Sequence, residues 1–385
     1  MATRWGICSA GKISQDFAVA LKTLPSADHQ IVAVAARKLD DAQEFATKHG
    51  ASRAYGSYEE LARDPDVGQW LAEAQQNLKF SANTSPALNT HLIGDPVPFL
   101  KCLNRLVTPC SVCLRVHTDV VYVGVIHPYH LKNCLLFINA KKNVLCEKPL
   151  AMNAREVKEI LDAAKRNNVF LMEAVWTRFF PVSVEIRRLL AQSELGEVKM
   201  VRSEFGRPLM HVPRLLQKDL GGGALLSIGM YCLQLVLMVF DGEKPESIQA
   251  TGVCLETGVD ETVVVTLKFS KNRMATFTYS SRVELPNDAI IAGTKGTIHV
   301  PEKMWCPTSL IVNGEERHFP VPEPSLPLNF PNGTGMRYEA EEVRQCLLKG
   351  LKESTIMSHA DSLLLAELED EIRRQVGVVY SQDYQ

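Results

Sequence analysis

Short apolar runs alternate with helical patterns through the first part of the chain. Residues 4–9 form an apolar run, and a helical pattern follows from Ile13 to Leu24. A second run, Ile31-Val32-Ala33-Val34-Ala35-Ala36, leads into a helix rich in Ala, Glu and Lys from Leu39 to His49. After a helix at Tyr58–Arg63, the alternation resumes with a strand at Val120–Val125, a helix His130–Ala140 and a strand Val144–Cys146. Helix Ala154–Asn167 and strand Phe170–Met172 extend it. Runs of this length separated by helices of about ten residues predict βαβ units and a parallel sheet, here a first domain over residues 1–174.

Beyond Gly196 the period changes. Glu197–Glu204, Thr262–Phe269, Met274–Ser280, Gly296–Val300 and Leu310–Val312 alternate apolar and polar residues between Gly, Pro and Asn turns. That is the pattern of an open, mostly antiparallel sheet with one wet face. Helices around Arg337–Lys349 and Ser362–Val376 close the chain, so residues 175–385 read as an α+β domain. The apolar stretch Ala224–Phe240 is interrupted by Ser227, Tyr231 and Gln234 and reads as a buried helix rather than a membrane span.

One segment breaks the pattern. Between Tyr58–Arg63 and the strand at Val120 an ordinary connection needs about 2–6 residues, yet Gly68–Thr118 intervenes without a clear period. Within it Cys110, Cys113 and His117, with Cys102 upstream, superficially resemble zinc spacing. They lack a second paired knuckle, so no metal is expected.

Composition narrows the class. A chain of 385 residues is long for one core, and 46% hydrophobic with 22% charged residues is ordinary for a globular protein. A net charge of −2 with mixed signs gives no footprint for nucleic acid, and none is expected as a partner. The N-terminus has no apolar run of signal-peptide length, and ten scattered cysteines fit reduced thiols, so a cytoplasmic location is expected.

The candidate chemistry gathers where strands end. Ser9-Ala10-Gly11-Lys12-Ile13-Ser14 follows a strand and opens a helix, as a dinucleotide fingerprint does, but of its three glycines only Gly11 is present. A plain strand–turn–helix is the alternative. The next strand ends in Ala36-Arg37-Lys38, where an NAD site would carry a carboxylate; a guanidinium there suits the 2′-phosphate of NADP. Lys148, in Glu147-Lys148-Pro149, follows a strand and faces the crevice, where it could lower a phenol's pKa or bond a substrate hydroxyl; Pro149 invites a cis peptide. Gly221-Gly222-Gly223 enters an apolar helix in which Ser227 and Tyr231 stand four apart; Tyr231 is a general acid/base or a tyrosine of the core. His127 and His130 follow another strand end, as ligand contacts or structural histidines.

These pieces together resemble the glucose–fructose oxidoreductase/inositol dehydrogenase/MocA family. Glu147-Lys148-Pro149, Glu173-Ala174-Val175-Trp176-Thr177-Arg178-Phe179, Leu195-Gly196-Glu197, Gly221–Tyr231 and Gly293-Thr294-Lys295-Gly296 match in order, over residues 1–67 and 119–385. The resemblance implies a Rossmann doubly wound domain followed by a substrate-binding and dimerisation domain. It implies transfer of a hydride from a CH–OH carbon to NADP, with trans-dihydrodiols of aromatic hydrocarbons and D-xylose as substrates. Tyr231 is then the base, with Lys148 lowering its pKa. Ser9, Gly11, Lys12, Ile13, Arg37, His127, Glu147 and Arg178 are implied as cofactor contacts, and His130, Trp176 and Phe205 as substrate contacts. The open sheet is implied as a homodimer surface. Alternatives are another sugar or cyclitol dehydrogenase, or an NADPH sensor with weakened catalysis.

Three departures from the family pattern stand out. Ser227 replaces an aspartate and cannot supply its charge. Lys141 stands where a helix-ending glycine belongs, at about 1 kcal/mol if the site is left-handed. Gly68–Thr118 is extra; it reads as a splice or gene-model insertion, or as a lid over the crevice.

Overall fold

The computed structural model describes residues 2–64 and 119–384. The Gly68–Thr118 segment, with its cysteines and His117, lies outside the described residues. Six strands build the first sheet: β1 (Thr3–Cys8), β2 (His29–Ala35), β3 (Arg53–Tyr55), β4 (Asp119–Val123), β5 (Asn143–Glu147) and β6 (Leu171–Ala174). Their order is β3-β2-β1-β4-β5-β6, every pair parallel. This is the doubly wound order whose direction reverses between β1 and β4, opening a crevice at the carboxyl ends of the strands. Helices α1 (Lys12–Leu21), α2 (Leu39–His49), α3 (Tyr58–Arg63), α4 (His130–Asn139) and α5 (Ala154–Asn167) connect these strands. Strand β3 has no apolar run of its own and escaped the period; it is held by pairing with β2.

Local chemistry sets the helix ends. Ser57 caps α3 with a reciprocal bond to Glu60, and Asn153 caps α5 through the amide of Glu156. Gly50 ends α2 in the left-handed region. At the end of α4, Lys141 does the same with φ +61°. Its ammonium reaches Asn167 Oδ1 at 2.7 Å on the surface.

The second sheet follows α6 (Pro181–Ala191). It comprises β7 (Val198–Gly206), β8 (Ser247–Cys254), β9 (Asp260–Phe269), β10 (Arg273–Ser280), β11 (Ala289–Gly293), β12 (Thr297–Val300), β13 (Ser309–Val312) and β14 (Glu315–His318). The order is β14-β13-β12-β11-β7-β10-β9-β8. The sheet is antiparallel except for β7 with β10, which run parallel because the chain between them passes through a helix and a hairpin.

Helix α7 (Met230–Val239) is buried on every side, against β7 and β10 on one face and α9 on another. The stretch 218–239 is long and apolar enough to cross a membrane, yet 94% of its apolar 18-residue window is enclosed by the protein. That agrees with the buried-helix reading. Helices α8 (Met336–Leu348) and α9 (His359–Val376) pack back onto the first sheet's elements, α8 on α1 and α9 on α5. Polar ties hold these contacts in register. Asp16, buried in α1, accepts the amides of Asn329 (2.9 Å) and Phe330 (2.8 Å), and His29 meets Glu341 at 2.8 Å.

A left-handed lysine lacks the freedom of glycine, so Lys141→Gly should stabilise the fold by roughly 0.5–1 kcal/mol. An increase in the urea midpoint is the expected result. An unchanged or lower midpoint would mean that the surface bond to Asn167 outweighs the backbone strain.

Candidate active site at the sheet crest

The crest of the first sheet collects the loops that follow β1, β2, β4, β5 and β6. After β1, Ser9 takes φ +93°, where a fingerprint glycine would ordinarily sit. The tight turn survives the loss of that glycine at the cost of a strained backbone. Ser9 Oγ accepts the Gly11 amide at 3.3 Å, and α1 begins at Lys12. Lys12 is exposed and Ile13 half-buried beside it. After β2, Arg37 is exposed, without a carboxylate in the strand end. Tyr58 stands within reach of both Ser9 and Arg37, and burial pushes its phenol up to about 12.

The loop after β4 carries His127 and His130, whose rings meet edge to face at 5.8 Å. His127 Nδ1 lies 3.2 Å from the Gly221 carbonyl. His130 has Nδ1 at 2.7 Å from the Pro149 carbonyl and Nε2 at 3.0 Å from that of Val125. Both ring nitrogens of His130 are thereby engaged with backbone, in a side chain fully shut from solvent. The residue braces the crest loops instead of presenting an atom to a ligand. Burial lowers the pKa of both imidazoles, His127 most strongly, so both are neutral at physiological pH.

After β5 the Lys148–Pro149 peptide is cis. Glu147 is buried, accepting the Tyr122 hydroxyl at 2.5 Å and the Lys148 amide at 3.3 Å, which makes it a brace for the loop. Lys148 Nζ donates to the Ser227 carbonyl at 2.6 Å and lies 4.6 Å from the centroid of the Tyr231 ring. Burial, with the charge of Arg214 adding to it against the pull of Glu147, brings Lys148 down to about 8.

Ser227 lies in a π-helical turn, Leu225–Gly229, that runs directly into α7. The wider turn alters the simple four-residue spacing on which a shared face for Ser227 and Tyr231 was expected. Its carbonyl takes the lysine, while its hydroxyl is buried with no hydrogen-bond partner. Gly229 is required in this turn, because a β-carbon there would collide with the Tyr279 ring.

Tyr231 accepts a hydrogen bond from Trp176 Nε1 at 3.1 Å. Its phenol is held well above the usual tyrosine value by burial, and the charge of Glu147 adds to the effect. This corrects the expectation that Lys148 lowers it: the ammonium sits over the ring face and is committed to a carbonyl, so desolvation wins. Phe205 tilts against Tyr231 at 5.8 Å and stacks on Trp305 at 4.0 Å with 7° between planes. Trp176 and Phe205 thus flank Tyr231, with Trp305 backing Phe205.

Arg178 is placed differently from the cofactor contact expected of it. It pairs with Asp361 at 3.1 Å, donates to the Ile356 carbonyl at 2.9 Å, and lines a cavity with Arg187, Met238 and Asp361 that contains none of the crest residues. Other residues at the site escaped sequence reasoning. Trp305 lies in an irregular stretch with no period to mark it. Glu173 Oε1 accepts the Leu150 amide at 2.9 Å and so fixes the loop that carries Lys148. Glu339 is fully buried with neither oxygen bonded, and burial beside Glu147 raises its pKa well above the usual range. Among the described residues no cluster of His, Cys, Asp or Glu has the geometry of a metal site.

Two family models match the chain: the GFO/IDH/MocA C-terminal domain over residues 183–299, and the oxidoreductase family with NAD-binding Rossmann fold over residues 110–175. A trans-1,2-dihydrobenzene-1,2-diol dehydrogenase of Danio rerio is 61% identical over 385 residues, covering 100% of both chains. The chain belongs to the GFO/IDH/MocA oxidoreductase family. A Homo sapiens protein with the same name as the Danio rerio one is 44% identical across 100% of this chain and 99% of its own. Levoglucosan dehydrogenase, solved in complex with NADH and levoglucosan, superposes with a TM-score of 0.75 at 17% identity over 98% of each chain, which establishes the shared fold. As a member of this oxidoreductase family, the chain is a dehydrogenase whose Rossmann crest serves a nicotinamide dinucleotide.

Burial pushes Glu173 up to about 7 from 4.5. The unfolded chain ionises this carboxyl from about 4.5 upward while the fold keeps it protonated, so its contribution to stability is lost as pH rises from about 4.5 to 7. Glu173→Gln should therefore shrink the fall in urea midpoint between pH 5 and pH 7.5, relative to the parent. An equal or steeper fall in the variant would show that Glu173 is ionised in the fold.

Proposed function

We propose that this dehydrogenase uses NADP to oxidise trans-dihydrodiols of aromatic hydrocarbons to catechols and D-xylose to its lactone, as a homodimer. The observation that carries the reading is the enclosure at the crest: a buried phenol, a buried amine with pKa near 8 over its ring, and Trp176 and Phe205 against the phenol, Phe205 backed by Trp305. Planar diols and sugar faces both pack on such rings. The names of the relatives at 44–61% identity favour the diol.

The crest residues fit a dinucleotide. The Ser9 turn keeps its left-handed geometry, Gly11 places no side chain at the start of α1, and that helix offers its first amides to a diphosphate. Arg37, free of any carboxylate in its strand end, suits a 2′-phosphate. When bound, NADP supplies the hydride acceptor. The protein's part is proton handling and exclusion of water. Tyr231, protonated in its buried setting, stands between substrate and protein. Lys148, with a pKa near 8, has both forms populated around neutral pH and is suited to take up or return the proton. Ser227 leaves no carboxylate on the π turn, which places the burden of charge on Lys148.

Support for the homodimer comes from the open face of the second sheet. Met200, Val253, Val264 and Met274 are exposed there, and Met200 and Met274 sit side by side in the β7–β10 ladder. Exposed apolar side chains grouped on one sheet face mark an association surface. Sedimentation should give the mass of a dimer, with Val264→Glu plus Met274→Glu shifting it to monomer. A parent that sediments as monomer would remove this part of the reading.

Steady-state assays test the activity. NADP should be preferred over NAD with a trans-dihydrodiol and with D-xylose, and Tyr231→Phe should cut kcat at least about a hundredfold, as loss of a general acid/base does. No NADP reduction with either substrate class would reject the reading, and a Tyr231→Phe variant of near-parental turnover would reject Tyr231 as the proton-handling group.

A further inference from the structure

The loop that runs from Pro213 to Gly223 carries a cation the reaction described above does not use. Arg214 lies in the helical turn Pro213–Leu216, which is clamped against the crest. The Gly223 amide donates to the Leu215 carbonyl at 2.9 Å and the Gly222 amide to that of Gln217 at 3.0 Å. A β-carbon on Gly222 would come within 2.6 to 2.7 Å of the carbonyls of Leu215, Arg214 and Gln217, so only glycine permits this fold-back. Gly221 closes onto His127, whose Nδ1 meets its carbonyl at 3.2 Å. The turn is thus rigidly referenced to the residues that follow β4.

The guanidinium so placed has no counter-charge. Arg214 Nη1 is buried without a hydrogen-bond partner, and among the described residues no carboxylate pairs with it. Arg178, Arg344 and Arg373 each face carboxylates, Asp361, Asp28, and Asp370 with Asp383, while Arg187 donates to the Arg178 carbonyl. The positive charge of Arg214 bears on Lys148, His127 and His130, all at the crest. A guanidinium does not shed its proton as a lysine or histidine can. Holding it half-buried beside a lysine is unfavourable unless something negative arrives there. Arg37, by contrast, stands after β2, at the other end of the crevice from Lys148. A 2′-phosphate near Arg37 would leave Arg214 uncompensated.

We propose that Arg214 is a specificity-determining residue that receives a carboxylate of the substrate, so that the sugars oxidised extend to hexuronates. This rests on the aldose part of the proposed function and sharpens its substrate class. The chemistry is unchanged. The C1–H bond of the cyclic sugar breaks with its electron pair going to the oxidised nicotinamide. The O1 proton is passed through Tyr231 to the neutral amine of Lys148, C1=O forms, and the product is the lactone. The carboxylate at C5 takes no part in bond making and serves only as the anchor.

D-Xylose, D-glucose and D-glucuronate form a matched series, alike at C2 to C4 and carrying hydrogen, hydroxymethyl and carboxylate at C5. With the full-length protein and NADP at pH 7 and low salt, kcat/KM for D-glucuronate should exceed that for D-glucose at least about tenfold, as a charge-assisted bond provides. In Arg214→Gln the ratio should fall to near one, and Arg214→Lys should restore part of it. Quenching of Trp176 and Trp305 emission by D-glucuronate provides a second readout independent of turnover, and should weaken by a similar factor in Arg214→Gln. D-Xylose oxidation without discrimination between D-glucose and D-glucuronate would overturn the proposal. So would a rise in the KM for NADP in Arg214→Gln that is equal for all three sugars, which would assign the residue to the cofactor. If D-xylose is not oxidised but D-glucuronate quenching depends on Arg214, the aldose reading fails and the carboxylate contact stands.

Discussion

The site depends on one bond across the fold: the ammonium of Lys148, from the first sheet, on the carbonyl of Ser227, from the π turn that begins the buried helix. Seventy-nine residues separate the two in sequence. The bond brings the loop after β5 under the helix that carries Tyr231, and it removes the amine from water. Desolvation then does the tuning: the amine falls toward neutrality and the phenol rises away from ionisation. Both effects have the same origin, which is burial away from solvent.

Beneath that bond lies a layer of buried carboxyls. Glu147 and Glu173 are hydrogen-bonded to the loop that bears Lys148, while Glu339 and Glu369 are enclosed with oxygens left unbonded. Burial raises all four. Burial thus disfavours ionisation throughout this layer, while the charge of Glu147 still opposes the fall of Lys148. The crest is thereby kept responsive to the charge of what binds above it, and the uncompensated Arg214 adds to the same field.

The residues expected at the site divide by what their neighbours ask of them. Lys148, Tyr231, Trp176 and Phe205 come together in one enclosure, and Ser9, Gly11 and Arg37 line the crest as the strand ends required. His130 and Arg178 were indistinguishable from ligand contacts in sequence, since both lie near strand ends with polar side chains. In the fold both ring nitrogens of His130 are taken by backbone carbonyls, and Arg178 Nη1 by the Ile356 carbonyl and Asp361. Such satisfaction comes from residues remote in the chain, so no local pattern reports it.

Periodicity alone indicated both sheets, though not their strands β3, β8, β11 and β14, together with most helix spans and the crest as the place for chemistry, because side-chain alternation and βαβ order are properties of neighbouring residues. The lone Gly11 and the strand end at Arg37 were legible for the same reason. Tertiary structure decided the rest: the parallel pairing of β7 with β10, the π turn at Ser227, the stack of Trp305 on Phe205 and the raised phenol of Tyr231. Each of these depends on desolvation or on contact between segments far apart in the chain, and neither quantity exists until the chain has folded.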